Sequence, residues 1–162
     1  MAKERSIRVG AAGVVIRDGK ILLVKFDDEN GPHYNYPGGG HQEGETLRQT
    51  AAREVLEETN AEVEVGRLLV VGEAEPGRVG HVYGDIHHLK LFFECTLKPG
   101  SEPRLPDSPD INEVAVEWIS IDQLSSLPLI PEFDEELLRI IESGETIHSE
   151  DDGEAARRLN NS

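Results

Sequence analysis

An α+β sandwich is the fold class this sequence predicts, and three observations predict it. Runs of strand-forming residues lie on both sides of a single strong helix; a tight-turn signal joins the first two runs; and a second amphipathic helical pattern closes the chain. At 162 residues the chain suits one domain with a real core. Residues 1–144 are expected to form that domain, with 145–162 as a polar, mobile C-terminal tail in which EAARRL adds a turn or two of helix.

The elements follow in order. Residues 7–16 (IRVGAAGVVI) and 21–26 (ILLVKF) read as strands, and Asp18-Gly19 between them is a hairpin signal. Gly10 and Gly13 mark a bulge, a ligand approach or close packing, with packing preferred. Residues 27–36 (DDENGPHYNY) read as a polar loop that delivers Tyr34 and Tyr36 to the Pro-Gly-Gly-Gly turn at 37–40. Either ring is a candidate to stack on a nucleobase, against the plainer reading of an aromatic filling the core. From Leu47 to Glu58 strong helix formers run without Gly or Pro, and Thr46 is placed as the N-cap. Residues 62–72 and 86–97 read as strands, with a glycine- and proline-containing loop between them; 114–119 is another strand, followed by a short helical turn from Asp122. In the 86–97 strand His87, Leu89, Leu91, Phe93 and Cys95 face one way, and His88, Lys90, Phe92 and Glu94 the other. The long loop at 99–112 is rich in Pro, Ser and Asp, and residues 132–143 carry a helical apolar stripe ended by Gly144.

Composition narrows the function. A formal net charge of −16 disfavours a nucleic-acid polymer or an anionic membrane as partner. Cys95 is the one cysteine, in an apolar run, so no internal disulfide forms and the thiol reads as buried. The opening MAKERSIRV lacks an apolar signal segment, and no run is long enough to span a bilayer, so a cytoplasmic location is expected.

Chemistry concentrates between Pro37 and Ala61, PGGGHQEGETLRQTAAREVLEETNA. At roughly 100° per residue, Glu54, Glu57 and Glu58 share one face of the helix. Three carboxylates there repel one another unless a cation joins them. A solvated acidic face is the plain alternative, but the glycine turn in front brings free carbonyls within reach of an ion. Arg53 can pair with Glu45, eight positions earlier, and pin the loop to the helix. Hard oxygen ligands of this kind suit Mg²⁺ or Mn²⁺.

This stretch resembles the signature of the Nudix hydrolases: Gly, five residues, Glu, seven residues, then Arg-Glu-aliphatic-x-Glu-Glu-x-Gly-aliphatic. It falls on Gly39, Glu45, Arg53, Glu54, Val55, Glu57 and Glu58. Asn60 stands where the family has Gly, and Ala61 replaces a larger aliphatic residue. Asn tolerates the left-handed conformation of a helix end, so the geometry is expected to survive. The resemblance extends over residues 7–142. It implies a mixed sheet packed between helices, and divalent-metal-dependent hydrolysis of a nucleoside diphosphate linked to another group. It makes Glu54, Glu57 and Glu58 the metal ligands, with the Gly38 carbonyl as a neutral one, and Glu45, Arg53, Glu54 and Glu57 the catalytic set. The general base is either Glu54 or a later acid such as Asp107, Asp110 or Glu113. Pro76, fifteen residues past the signature, resembles the downstream proline of ADP-ribose-type members, which puts ADP-ribose or a nucleotide sugar slightly ahead of nucleoside triphosphates, oxidised ones included. A regulatory nucleotide-binding module without turnover is the reading from another class. The partner implied is a small nucleotide, and a homodimer is admitted.

Overall fold

The computed structural model describes residues 6–130 and 134–161. Strand β1 (Ile7–Arg17) turns at Asp18 and Gly19, both at positive φ, into β2 (Lys20–Asp28). Strand β3 (Gly31–Asn35) then folds back on β2, from Val24↔Asn35 to Asp28↔Gly31. The 27–36 stretch is therefore a hairpin rather than a loop. Its turn is Glu29-Asn30, with Gly31 just beyond it at φ 94° and the Asp28 carboxylate accepting the Asn30 N–H at 2.8 Å. The short β4 (Gly38–Gly40) lies antiparallel to β1, and α1 (Leu47–Thr59) follows.

Strands β5 (Val63–Ala74), β6 (His87–Leu97) and β7 (Glu113–Ser120) come next, then a 3-10 turn at Ile121–Ser126 and β8 (Leu129–Ile130). Helix α2 (Asp134–Ser143), β9 (Ile147–Glu150) and α3 (Glu154–Asn160) end the chain. Two limbs share β1. One runs β4-β1-β6-β5-β9, parallel at β1·β6 and β5·β9; the other runs β7-β2-β3-β8. The expected helical stripe begins at 132, but residues 131–133, Phe133 among them, lie outside the described residues.

Within the stretch 145–162, read from sequence as a polar tail, Ile147–Glu150 and Glu154–Asn160 carry structure: β9 adds a strand to the sheet edge, pairing Val70↔Ile147 through Glu73↔Glu150. Only Ile147 is a large aliphatic in that strand, and backbone pairing with β5 needs no apolar side chains.

The sheet is covered on both faces. Ala51 and Val55 of α1 pack on Ala11, Val15, Phe93 and Cys95; Leu137 and Ile140 of α2 pack with Ala12, Val14 and Phe92 on the other side. The alternation of β6 sorts as expected, Phe93 and Cys95 under α1 and Phe92 opposite. Burial pushes the Cys95 thiol up to about 12, so it is an inert core group. Gly13 has a packing role: a Cβ there would fall 2.6 Å from a Val55 methyl. Among the described residues no helix is long and apolar enough to cross a membrane.

Candidate active site

Helix α1 is fixed at both ends by its own sequence. Thr46 and Gln49 form a reciprocal capping box, and Asn60 ends the helix at φ 56°, ψ 19°, its N–H donating to the Leu56 carbonyl. The left-handed conformation expected of Asn60 is the one observed.

Arg53 organises the polar face. Its guanidinium donates to both oxygens of Glu45, to Glu54 Oε1 at 2.8 Å, to Glu57 Oε2 at 3.2 Å and to the Gly40 carbonyl at 2.9 Å. Glu45 also accepts from the Thr50 hydroxyl at 2.8 Å and the Gln42 N–H at 3.1 Å. These contacts, Arg53 first, hold its carboxyl down at about 2. The loop–helix clasp read from the spacing of Glu45 and Arg53 is thus present.

The three glutamates differ. Glu57 is exposed, whereas Glu54 and Glu58 are buried at 9% and 5%. Desolvation raises Glu54, and it raises Glu58 to about 8 despite the attraction of Lys90. The Lys90 ammonium is pushed the other way by the same loss of water. Oε2 of Glu58 is buried without a hydrogen-bond partner. Gly39 lies against Glu54 so closely that a Cβ would sit 2.5 Å from the carboxyl carbon, which is why this position needs glycine. Gly38, proposed as a carbonyl ligand, pairs with Ala12 in the β1 ladder, and its missing Cβ makes room for Ala12.

Among the described residues no three His, Cys, Asp or Glu side chains are gathered closely enough to hold a metal ion as they stand. Glu54 and Glu57 accept from Arg53, and Glu58 is buried. The donor set nevertheless fits a hard divalent ion. It offers all-oxygen ligands, a buried carboxylate atom without a partner, and a glycine that leaves space beside Glu54.

The later acids separate too. Asp107 pairs with Arg104 at 3.1 Å, its side chain 91% exposed. Asp110 and Glu113 lie at the carboxylate cluster: Asp110 adds to the negative field at Glu54 and at Glu58, and Glu113 to that at Glu58. Glu113 is 5% exposed and raised by burial; its Oε2 accepts the Asp110 N–H at 3.1 Å, while Oε1 is buried without a partner.

Tyr34 and Tyr36 are not available for base stacking. Tyr36 is 1% exposed and packs edge-on to Phe92 with ring centroids 5.6 Å apart. Tyr34 is 9% exposed, donates to Glu117 at 2.8 Å and is pushed up to about 12 by burial. Because 31–35 is a strand, its alternation turns Tyr34 into the sheet's core, and Tyr36 beyond it joins the same cluster.

Two features escape a reading of the signature alone. Arg8 and His41 line an open cleft with Gly40, Gln42 and Glu54, giving the acidic site a cation at its mouth. The register Arg8↔His88 and Gly10↔Lys90 then sets Arg8, His88 and Lys90 on one face of β1 and β6. The alternation of the 86–97 strand was legible in the sequence, but the register that joins it to β1 was not.

Comparison with known proteins makes the family definite. Residues 7–141 match the NUDIX domain model, and the chain belongs to that family. It is 35% identical over 96 residues to nucleoside diphosphate-linked moiety X motif 6 of Xenopus laevis, covering 57% of this chain and 41% of that protein. It is 31% identical over 110 residues to an ADP-ribose pyrophosphatase of Methanocaldococcus jannaschii, covering 65% of this chain and 63% of that one. The crystal structure of a MutT NUDIX hydrolase from Burkholderia pseudomallei superposes with TM-score 0.67 at 26% identity, covering 84% of this chain and 99% of that chain. The chain therefore spans less than two thirds of these two curated relatives' lengths.

Proposed function

We propose that the chain is a Mg²⁺- or Mn²⁺-dependent pyrophosphohydrolase cleaving a nucleoside diphosphate linked to another group, ADP-ribose or a nucleotide sugar. The observation that carries this reading is the α1 face itself. Glu54 and Glu58 are buried side by side with an unpartnered oxygen on Glu58, against the glycine turn and beside a fully engaged Arg53–Glu45 clasp. A purely structural acidic face has no reason to bury two carboxylates at such electrostatic cost.

Glu54, Glu57 and Glu58 are the residues that would hold the ion. When bound, it supplies Lewis acidity to the phosphate oxygens and acidifies a water for attack at phosphorus. Arg53 keeps Glu54 and Glu57 oriented, and Glu45 keeps Arg53. Arg8 at the cleft mouth meets the diphosphate, whose charge the −16 of the chain otherwise opposes. Of the later acids, Glu113 and Asp110 lie beside the carboxylate cluster and are the better placed to hold a proton there, whereas Asp107 is exposed and paired with Arg104. Similarity to the ADP-ribose pyrophosphatase of Methanocaldococcus and to a protein of Bacillus subtilis named as a putative ADP-ribose pyrophosphatase, 28% identical over 88 residues, favours the diphosphate-linked class.

The test is product release over a panel of ADP-ribose, nucleotide sugars and nucleoside triphosphates with Mg²⁺. Release of a nucleoside monophosphate from the diphosphate-linked compounds supports the reading. Preferential turnover of triphosphates would move the protein to the other class, and binding without turnover would make it a regulatory module.

A further inference from the structure

A cavity of about 500 Å³ opens beside Lys90, between the β5–β6 face and the C-terminal segment. Asn35, Tyr83 and Lys90 line it from the body of the domain; Ser149, Asp152 and Ala155 line it from the segment beyond α2. Its size falls in the range of small-molecule pockets. The outer wall lies wholly past residue 141, where the match to the family model stops, so the part shared with the family does not supply it.

We propose that this cavity holds the neutral, hydroxyl-rich group on the far side of the diphosphate, a ribose or other sugar, and that residues 149–158 are the specificity-determining wall. The inference rests on the hydrolase reading above and adds to it which class of group is accepted.

Four observations lead there. First, the cavity continues from the reaction centre. Lys90 lines it and lies within the fields of Glu58 and Glu54, and Arg8, His88 and Lys90 share one sheet face leading from the cleft. Phosphates follow that row of basic side chains, which leaves the next group of the substrate at the cavity. Second, the cavity is rich in acceptors on its outer side, while His88 and Lys90 line its inner side and Arg158 also borders it. Asn35 Oδ1 is buried with no hydrogen-bond partner, and the carboxylates of Glu150, Asp151, Asp152 and Glu154 ring the outer side. Sugar hydroxyls donate to such groups, whereas a terminal phosphate is repelled by them.

Third, the wall is built rather than draped. β9 pairs with β5, the Tyr83 hydroxyl donates to Asp151 at 2.8 Å, and Arg157 donates to the carbonyls of Val79 and Asp152 at 3.2 and 2.9 Å. Fourth, Gly153 makes the docking possible. At φ 78° it comes so near Val79 that a Cβ would fall 2.5 Å from the Val79 carbonyl oxygen.

The experiment uses the full chain with Mg²⁺ and compares kcat and KM for ADP-ribose with those for ATP. Ala155→Trp fills the cavity from α3, and Asn35→Ala removes the unpartnered acceptor. The inference predicts that Ala155→Trp raises KM for ADP-ribose about tenfold or more, with kcat within about twofold and kcat/KM for ATP little changed. Asn35→Ala shifts the same ratio in the same direction by a smaller factor. If Ala155→Trp lowers the melting temperature too far to assay, Asn35→Ala decides. Equal losses for both substrates, or no loss for either, would overturn the assignment of the cavity while leaving the hydrolase reading intact. Absence of turnover of any diphosphate-linked compound by the wild-type chain overturns both.

Discussion

Replacing Glu58 by Gln is expected to stabilise the metal-free protein, and by an amount that grows with pH. Burial lifts this carboxyl from 4.5 to about 8 in the folded chain. A folded-state pKa raised above the unfolded one means that the group is tolerated while protonated below about 4.5. Stability is then lost progressively as pH climbs toward about 8, because the unfolded chain ionises first. Each unit is worth about 1.4 kcal/mol, so the full interval amounts to roughly 5 kcal/mol as an upper bound. The Lys90 attraction that Gln forfeits and the amide that must be buried both reduce the gain, leaving about 2 kcal/mol near pH 8 and close to zero near pH 5. For a chain of this length that is about 4–8 °C in melting temperature. Thermal denaturation in chelator at the two pH values, wild type against Glu58→Gln, reads it directly. An equal gain at both pH values, or none at pH 8, would refute the argument that a desolvated, unpaired carboxylate strains this site.

Other perturbations address neighbouring parts. Arg53→Ala and Glu45→Ala should cost similar fractions of kcat/KM, and the double variant little more than either, since the two act as one clasp; additive losses in a double-mutant cycle would separate them. The clasp also has an acid limit: with Glu45 lowered to about 2, its contribution is fully present above 4.5 and fades as pH falls toward 2, so Arg53→Ala should flatten the acid unfolding profile there. Gly39→Ala should displace Glu54 and lower kcat/KM about a hundredfold while far-ultraviolet circular dichroism is unchanged; a wild-type rate would mean the close approach is dispensable. At saturating Mg²⁺, moderate NaCl should leave kcat/KM level or raise it, because screening relieves the −16 field more than it weakens close contacts; a steep fall would mean that Arg8 and its neighbours dominate substrate capture.

The sequence carried the central helix almost completely. Thr46, Asn60 and the Glu45–Arg53 pair are local features, settled within a few turns of chain, and the structure has each where spacing implied. What was illegible depends on pairing between distant segments. The 27–36 hairpin hid behind polar residues because its strand is held by backbone bonds to β2, with Tyr34 turned inward. β9 hid for the same reason, its His148 and Glu150 facing away from any core. Asp107, Asp110 and Glu113 looked equivalent in or beside one loop, and the burial of Glu113 and the Arg104 contact of Asp107 tell them apart. Arg67, Arg78 and Arg104 bind at the surface, to the carbonyls of Ile140 and Glu145, to Glu150, and to Asp107 respectively.

The central claim, that the α1 glutamates support divalent-metal-dependent cleavage of a diphosphate, is tested most directly with Glu57→Gln. Glu57 is exposed, so its replacement leaves the core untouched. The measurement is AMP formation from ADP-ribose across a Mg²⁺ titration, wild type and variant side by side, with melting temperatures recorded in parallel. The account predicts AMP release by the wild type that rises with Mg²⁺ and vanishes in chelator, and loss of most of it in Glu57→Gln at an unchanged melting temperature. A variant that releases AMP at the wild-type rate across the titration would contradict it.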